Sequence, residues 1–351
     1  MASAEQQHGG AARLSRREAA RARARLAAET RRVLGGLGYE EVETPSLVPA
    51  PGMEPHLSPF QTAFTPEGGG PSRPLWLITS PEYAMKRLLA DGFERTFQLS
   101  RVFRDGEVSA THNPEFTMLE LYRAGTGYAG IMDDLERLIE AAARALRPGA
   151  VATVERGGRT LDLRAPFERL TMQEAFQRHA RLDLGAARGD GALLRAAALA
   201  AGHRPGPEGE PYEDLFFRIM LDAVEPRLGQ ARPTFLTDWP APMAALSRVR
   251  RDDPRWAERF ELYAGGLELA NGFTELNDAA EQRARLEEER ALRLRLGRPA
   301  LPLDERFLDA VGRMPDAGGV AVGFDRLLML LCGAETIAEV LLFPAREFLG
   351  E

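Results

Sequence analysis

Residues 93–103 and 114–122 read as two strands joined by a short polar loop that runs from Arg104-Asp105-Gly106-Glu107 to His112-Asn113. An arginine precedes the loop and an aromatic residue, Phe116, follows it. This pair constrains the fold more than any other stretch. It suits an antiparallel hairpin that holds a phosphate at one end and a base at the other. Far downstream, Gly318-Gly319-Val320-Ala321-Val322-Gly323 is a glycine-spaced apolar run ending in Phe324-Asp325-Arg326, with an apolar helix behind it.

Composition narrows the class. A chain of 351 residues buries a substantial core as one large domain or one domain with an insertion. A formal charge of -7 gives no footprint for wrapping a polyphosphate backbone, which argues against extensive nucleic-acid contact. The single cysteine, Cys332, cannot close an internal disulfide and fits a reducing compartment. No apolar run is long enough to span a membrane, and the N-terminus lacks the apolar core of a signal peptide, so a cytoplasmic protein is expected. Phosphate-loop and dinucleotide-binding glycine motifs are absent, and the histidines show no zinc-ligand spacing. Lys86 is the only lysine, set against many arginines; genomic base composition is the plain reading.

Along the chain, residues 1–11 are polar and expected to be disordered, and residues 12–35 read as an arginine-rich helix with a solvated face. A strand is expected over 39–47, a hairpin tip over 67–73, a strand over 75–79 and a helix over 81–91 with proline near its first turn. An amphipathic helix spans 131–146, and residues 150–230 read as a mostly helical insertion. Strands are expected over 234–236, 244–246, 259–264 and 266–276, with a charged helix over 279–296. This order suits an α+β fold with an antiparallel sheet flanked by helices.

The chain resembles the class II aminoacyl-tRNA synthetases of the lysine branch. The arginine-loop-aromatic segment is similar to motif 2, the Gly318–Arg326 run to motif 3, and Gly38-Tyr39-x-x-Val42-x-x-Pro45 to motif 1, the segment that pairs two subunits. The resemblance implies ATP as cofactor and assigns roles. Arg104 grips the α-phosphate and the incoming carboxylate. Phe116 stacks beneath adenine, and Asn113 binds ATP from the loop. Family members carry Arg-Asn-Glu where this chain has Arg104-Asp105-Gly106-Glu107, so either Asp105 or Glu107 meets the adenine amino group. Gly323 lets the backbone lie against the nucleotide, Arg326 reaches the outer phosphates, and Asp325 orients that arginine. Arg104 and Arg326 are the catalytic candidates, acting by position and charge stabilisation.

Two further strings complete the resemblance. In Glu268-Leu269-Ala270-Asn271-Gly272-Phe273-Thr274-Glu275 two carboxylates lie on one strand with a bulge or kink at Gly272. Glu268 and Glu275 are the candidate Mg²⁺ pair. The resemblance places Glu268 and Leu269 on ATP and Glu275 on the amino acid. Ser80-Pro81-Glu82, at a strand-to-helix junction, and Tyr122 are implied contacts of the substrate amino acid. Ala321 stands where lysyl synthetases have glycine and is expected to tune which lysine isomer fits.

Only about 37 residues precede Gly38, whereas an anticodon-binding barrel needs on the order of a hundred. With motif 3 near the C-terminus, residues 12–351 read as a catalytic domain without an anticodon-binding domain. Ser80-Pro81-Glu82-Tyr83-x-Met85-Lys86-Arg87-Leu88 and Pro55-His56-Leu57-x-Pro59-Phe60 resemble the stand-alone lysyl-synthetase paralogs that modify elongation factor P. That resemblance implies a homodimer that adenylates lysine or (R)-β-lysine and transfers it to a lysine of elongation factor P, with tRNA an unlikely partner. An enzyme making such an activated ester gains from having few amines of its own. The alternatives are a truncated synthetase acylating a tRNA or small molecule, and a silent paralog acting as a binding module.

Overall fold

The computed structural model describes residues 14–147, 149, 152–187 and 189–350, so the expected disordered segment over 1–11 lies outside the described residues. The first helix, α1 (Arg16–Gly36), starts at a capping box: the Ser15 hydroxyl accepts from the Glu18 amide while the Glu18 carboxylate accepts from the Ser15 amide. Its arginines are exposed except Arg23, which turns inward, and Ala19, Leu26 and Leu34 face the core. Beyond it, Pro45 interrupts the single strand expected over 39–47, leaving β1 (Glu40–Glu41) and β2 (Leu47–Val48). The hairpin expected around 67–73 forms between β3 (Gln61–Phe64) and β4 (Arg73–Leu77), and β2 completes a small three-stranded sheet. Helix α2 (Glu82–Ala90) follows with Pro81 at its N-cap position.

The long hairpin pairs β5 (Arg95–Phe103) with β6 (Glu115–Ala124), in register from Arg95 opposite Arg123 to Phe103 opposite Glu115. Helix α3 (Tyr128–Leu146) lays Ile131, Leu135, Leu138, Ile139 and Ala142 on the sheet, all fully buried. Each of the two isoleucines and two leucines contributes about 1.5–3 kcal/mol on burial, and truncating Leu135 to alanine costs about 2–5 kcal/mol.

The regular structure of the insertion is mostly helical, but not at its start. It opens with β7 (Thr153–Arg156), β8 (Arg159–Asp162) and β9 (Glu168–Thr171) before the helices α4 (Met172–Ala175), α5 (Leu184–Ala187), α6 (Gly191–Ala200) and α7 (Tyr212–Ile219). Then come β10 (Thr234–Pro240), β11 (Trp256–Ala264), β12 (Leu267–Thr274), α8 (Ala279–Arg295), α9 (Glu305–Val311), β13 (Ala317–Gly323), α10 (Phe324–Cys332) and α11 (Arg346–Leu349). The strand expected over 244–246 is a turn; the adjacent Ser247 makes only an isolated bridge to Glu275.

Eight strands form the main sheet in the order β1-β5-β6-β13-β12-β11-β10-β9. Its centre is antiparallel as expected, but both edges are parallel, β1 to β5 and β9 to β10, so the sheet is mixed. Helices α1, α3 and α10 pack one core against it, the insertion helices build a second core on β9–β11, and α2, α8 and α9 a third. Glycine is required at two central positions of the sheet. A Cβ at Gly319 of β13 would stand 2.4 Å from Glu275 Oε1 and from the Tyr122 ring, and one at Gly272 of β12 would stand 2.6 Å from the Phe260 ring. The β12 bulge lies at Leu269, which has no partner where the register shifts between Leu262 and Tyr263, and not at Gly272.

Candidate active site

Strands β6, β12 and β13, the loop between β5 and β6, and the start of α2 enclose a cavity of about 320 Å³. One end holds Arg104, Glu107, His112, Asn113, Phe116, Glu268, Leu269, Gly323 and Arg326. Arg104 sits with its guanidinium carbon 5.1 Å from the Phe116 ring centre and its Nη1 3.8 Å from Glu107 Oε2, and its Nε is buried without a partner. That arrangement leaves a cation aimed at the cavity and a stacking platform beside it. Arg326 donates to the Glu268 carbonyl (3.0 Å) and to the Thr111 carbonyl (3.3 Å), and lies 2.5 Å from His112 Nε2. Burial and the neighbouring Arg326 push the His112 pKa down, so the ring is neutral and its Nε2 accepts from the arginine. The β5–β6 loop and the start of α10 are thereby fastened to each other across the cavity.

The other end is built from charge. Ser80 Oγ donates to Glu120 Oε1 at 2.6 Å, and Tyr122 Oη donates to Glu120 Oε2 at 2.7 Å. Lys86 is fully buried, 2.5 Å from Glu82 Oε1 and 2.5 Å from Glu275 Oε2, with the rings of Phe273 and Phe307 around its ammonium. Burial raises the pKa of Glu120, and the charge of Glu82 adds to it. Burial likewise raises Glu275, although Lys86 beside it pulls the other way. For Lys86 burial disfavours the charge, but Glu275 and Glu82 together outweigh that and hold it above the ordinary lysine value. Such an end suits a ligand that brings its own ammonium groups. Gly319 and Ala321 of β13 line the cavity between the two ends.

Most of the residues singled out in the sequence converge here: Ser80, Glu82, Arg104, Glu107, Phe116, Tyr122, Glu268, Leu269, Ala321, Gly323 and Arg326 all line the one cavity. Asn113 and Asp325 line it too but bond elsewhere, and Asp105, Gly106 and Pro81 lie outside it. Asp105 and Gly106 are exposed and do not line it, leaving Glu107 as the acidic group that does. The Asn113 side chain is spent on the protein, donating to the Glu115 carbonyl and accepting from the Ala345 amide. Pro81 caps α2 and faces a neighbouring cavity. Asp325 does not hold Arg326; it accepts from Arg23 of α1 and from the Thr117 amide of β6.

Glu268 and Glu275 are not brought together. They stand at opposite ends of β12, roughly 20 Å of extended chain apart, and Glu275 is occupied by Lys86. The carboxylate that faces Glu268 is Glu261 of β11, held by Arg259 (2.8 Å) and Tyr263 (2.5 Å). Burial and the charge of Glu268 raise its pKa. Glu261, Glu120, Lys86 and His112 are site residues that the sequence reading does not assign. For Glu261 a signal was present, since Glu261, Glu268 and Glu275 recur every seven residues.

The geometry agrees with the comparisons to known proteins. The model of the family "tRNA synthetases class II (D, K and N)" matches residues 4–347. Proteins of Salmonella paratyphi B, Salmonella choleraesuis and Salmonella dublin, each named elongation factor P--(R)-beta-lysine ligase, are 41% identical over 323 residues, covering 92% of this chain and 93% of each relative. Among the described residues no helix is long and apolar enough to cross a membrane. An α+β mixed sheet, two arginines lining one cavity and a match across nearly the whole length make this chain an ATP-using ligase that belongs to the class II tRNA synthetase family.

Proposed function

We propose that the protein activates (R)-β-lysine, or lysine, with ATP as an aminoacyl-adenylate and transfers it to a lysine side chain of elongation factor P. The observation that carries this reading is the amino-acid end of the cavity. Glu82 lines it, tied to the buried ammonium of Lys86, which also meets buried Glu275, while buried Glu120 is held by two lining residues, Ser80 and Tyr122. Lys86 answers one of the three carboxylates, and the two ammonium groups of a lysine would answer the other two as they give up their protons. The names of the relatives supply the acceptor.

In this reading Arg104 holds the α-phosphate and the attacking carboxylate, so charge developing at phosphorus meets a fixed cation. Arg326, steadied by neutral His112, takes the outer phosphates as they depart. Glu107 meets the adenine amino group. Ser80 and Tyr122 fix Glu120 so that its carboxylate receives a substrate ammonium without reorganising. Mg²⁺ fits Glu268, with Glu261 behind it: burial and the charge of Glu268 raise the proton affinity of Glu261, and a shared cation would offset that repulsion. When bound, the ion would neutralise phosphate charge. Among the described residues no cluster of three or more His, Cys, Asp or Glu forms a site by itself, and ATP oxygens would complete the coordination. A homodimer through the motif 1 segment and a cytoplasmic setting complete the proposal.

Pyrophosphate exchange into ATP tests the first step. It should depend on a lysine isomer and need no RNA, and Arg104→Ala should lower it roughly 10²–10³-fold. Robust exchange by that variant sinks the α-phosphate assignment. Mass spectrometry tests the second step: elongation factor P should gain one lysyl increment, lost when its target lysine is replaced. Charging of tRNA with no change in the protein's mass would favour the truncated-synthetase reading instead.

A further inference from the structure

A second cavity, of about 480 Å³, lies beside the first and shares three residues with it: Glu54, Ser80 and Glu82. The two therefore meet at the amino-acid end, near the place where an acyl group would sit. The walls of the second cavity are stiff, with Pro81 and Pro302 among them.

Glu54 stands at the junction. Its backbone is pinned, because Arg293 Nη1 of α8 donates to the carbonyls of Glu54 (2.8 Å) and Leu57 (2.7 Å). Its carboxylate folds toward Gly52, and Oε2 is buried with no hydrogen-bond partner. Among the described residues it makes no ion pair, whereas Glu82 is paired to Lys86 and both oxygens of Glu120 are taken. The groups around it are Glu82 and Tyr83 of α2, Arg104 of the β5–β6 loop, and Arg293 and Glu289 of α8. Burial, and after it the charge of Glu82, raise its pKa, which makes it a better proton acceptor than an ordinary carboxylate. Glu289 nearby is pushed up to about 8 by burial and by Glu54.

An alkylamine is protonated at neutral pH and carries no lone pair for attack. Resting on the function proposed above, we propose that the acceptor alkylammonium reaches the adenylate through the second cavity and gives its proton to Glu54. One N–H proton passes to the Glu54 carboxylate and leaves a neutral amine. The nitrogen lone pair then forms the bond to the acyl carbon, and the bond from that carbon to the phosphate oxygen breaks with its electron pair leaving on AMP. The second N–H proton departs to the phosphate oxygen or to water, and Glu54 returns its own proton to water.

The test compares two small nucleophiles on wild type and Glu54→Gln. n-Butylamine is a cation at pH 7 and needs a base; hydroxylamine is largely neutral there and does not. Adenylate consumption by n-butylamine should fall about 10²-fold in the variant, while trapping by hydroxylamine falls far less. The n-butylamine deficit should shrink as pH rises toward the amine's own pKa, which a merely structural role for Glu54 would not produce. Pro302→Trp, at an exposed rim of the second cavity, should slow n-butylamine without slowing pyrophosphate exchange. Equal losses with both nucleophiles, no loss with n-butylamine, or a wild type that cannot use n-butylamine each overturn the proposal. A wild type that acylates n-butylamine but not elongation factor P overturns the protein acceptor and leaves the role of Glu54 standing.

Discussion

Lys86 Nζ lies 2.5 Å from Glu275 Oε2, with both side chains buried, so the sole lysine of the chain is a fixed countercharge inside the cavity wall. Glu275 sits just past β12 and Lys86 on α2; the pair joins the sheet to the helix that also carries Glu82. Without Lys86 three carboxylates would face one another in a small space.

Removing one partner of a buried pair leaves the other charge uncompensated. Lys86→Met should cost about 3–5 kcal/mol of folding stability, read by chemical denaturation, and should weaken lysine binding. The double variant Lys86→Met, Glu275→Gln should recover part of the stability, since no lone charge remains. Additive losses in the double variant would show that the two do not act as a pair.

Proton release should accompany ligand binding. Glu120 and Glu275 have folded pKa values above the ordinary carboxylate value. Between the ordinary and the folded values the native protein holds more protons than the unfolded chain, so their contribution to stability is full in acid and is lost as pH rises through the folded values. A ligand with two ammonium groups favours the charged carboxylates and expels those protons. Calorimetric titration of lysine in buffers of different ionisation enthalpy should give heats that differ accordingly; identical heats would refute the coupling.

The Arg326–His112 contact should give the exchange rate an acid limb. His112 titrates below the ordinary histidine value because of burial and Arg326, so it stays neutral at pH 7. As pH falls through its folded pKa, an imidazolium forms beside the guanidinium and repels it. Exchange should drop there, and His112→Gln, which keeps an acceptor without a titrating ring, should flatten that limb. A limb unchanged in the variant would move the titration elsewhere.

Ala321 should bias the choice of lysine isomer. It lies directly across from Glu120 in the β13–β6 register and lines the cavity. In β-lysine the amino group sits one carbon farther from the carboxylate, and a one-carbon difference is worth ~1–3 kcal/mol, or about 10–200-fold. Ala321→Gly should raise the efficiency of α-lysine relative to (R)-β-lysine in pyrophosphate exchange. An unchanged ratio would assign selectivity to other walls of the cavity.

The hairpin, α3 and the glycine-spaced β13 were legible in the sequence because each is a local pattern. Glu120 was not, because a glutamate on a strand looks the same whether it faces water or Ser80 and Tyr122; only the register across three strands decides it. The pairing of Glu268 with Glu275 failed for the same reason. Spacing along one strand is visible in sequence, whereas the neighbour on the next strand, Glu261, depends on the bulge at Leu269. The β7–β8 hairpin did carry a signal, the Gly157-Gly158 turn with both residues at positive φ.

Asp325 gives α1 a part beyond packing. One of its oxygens accepts from Arg23 of α1 and the other from the Thr117 amide of β6, and Arg23 also reaches Thr117 Oγ1. The residue beside Asp325 is Arg326. Helix α1 and the Arg326 end of the cavity therefore hang on one knot, and a shift of Arg23 bears on the backbone that aims Arg326. Because linkage between two binding events is reciprocal, a partner whose grip on α1 moves Arg23 alters nucleotide affinity by the same factor that the nucleotide alters its grip.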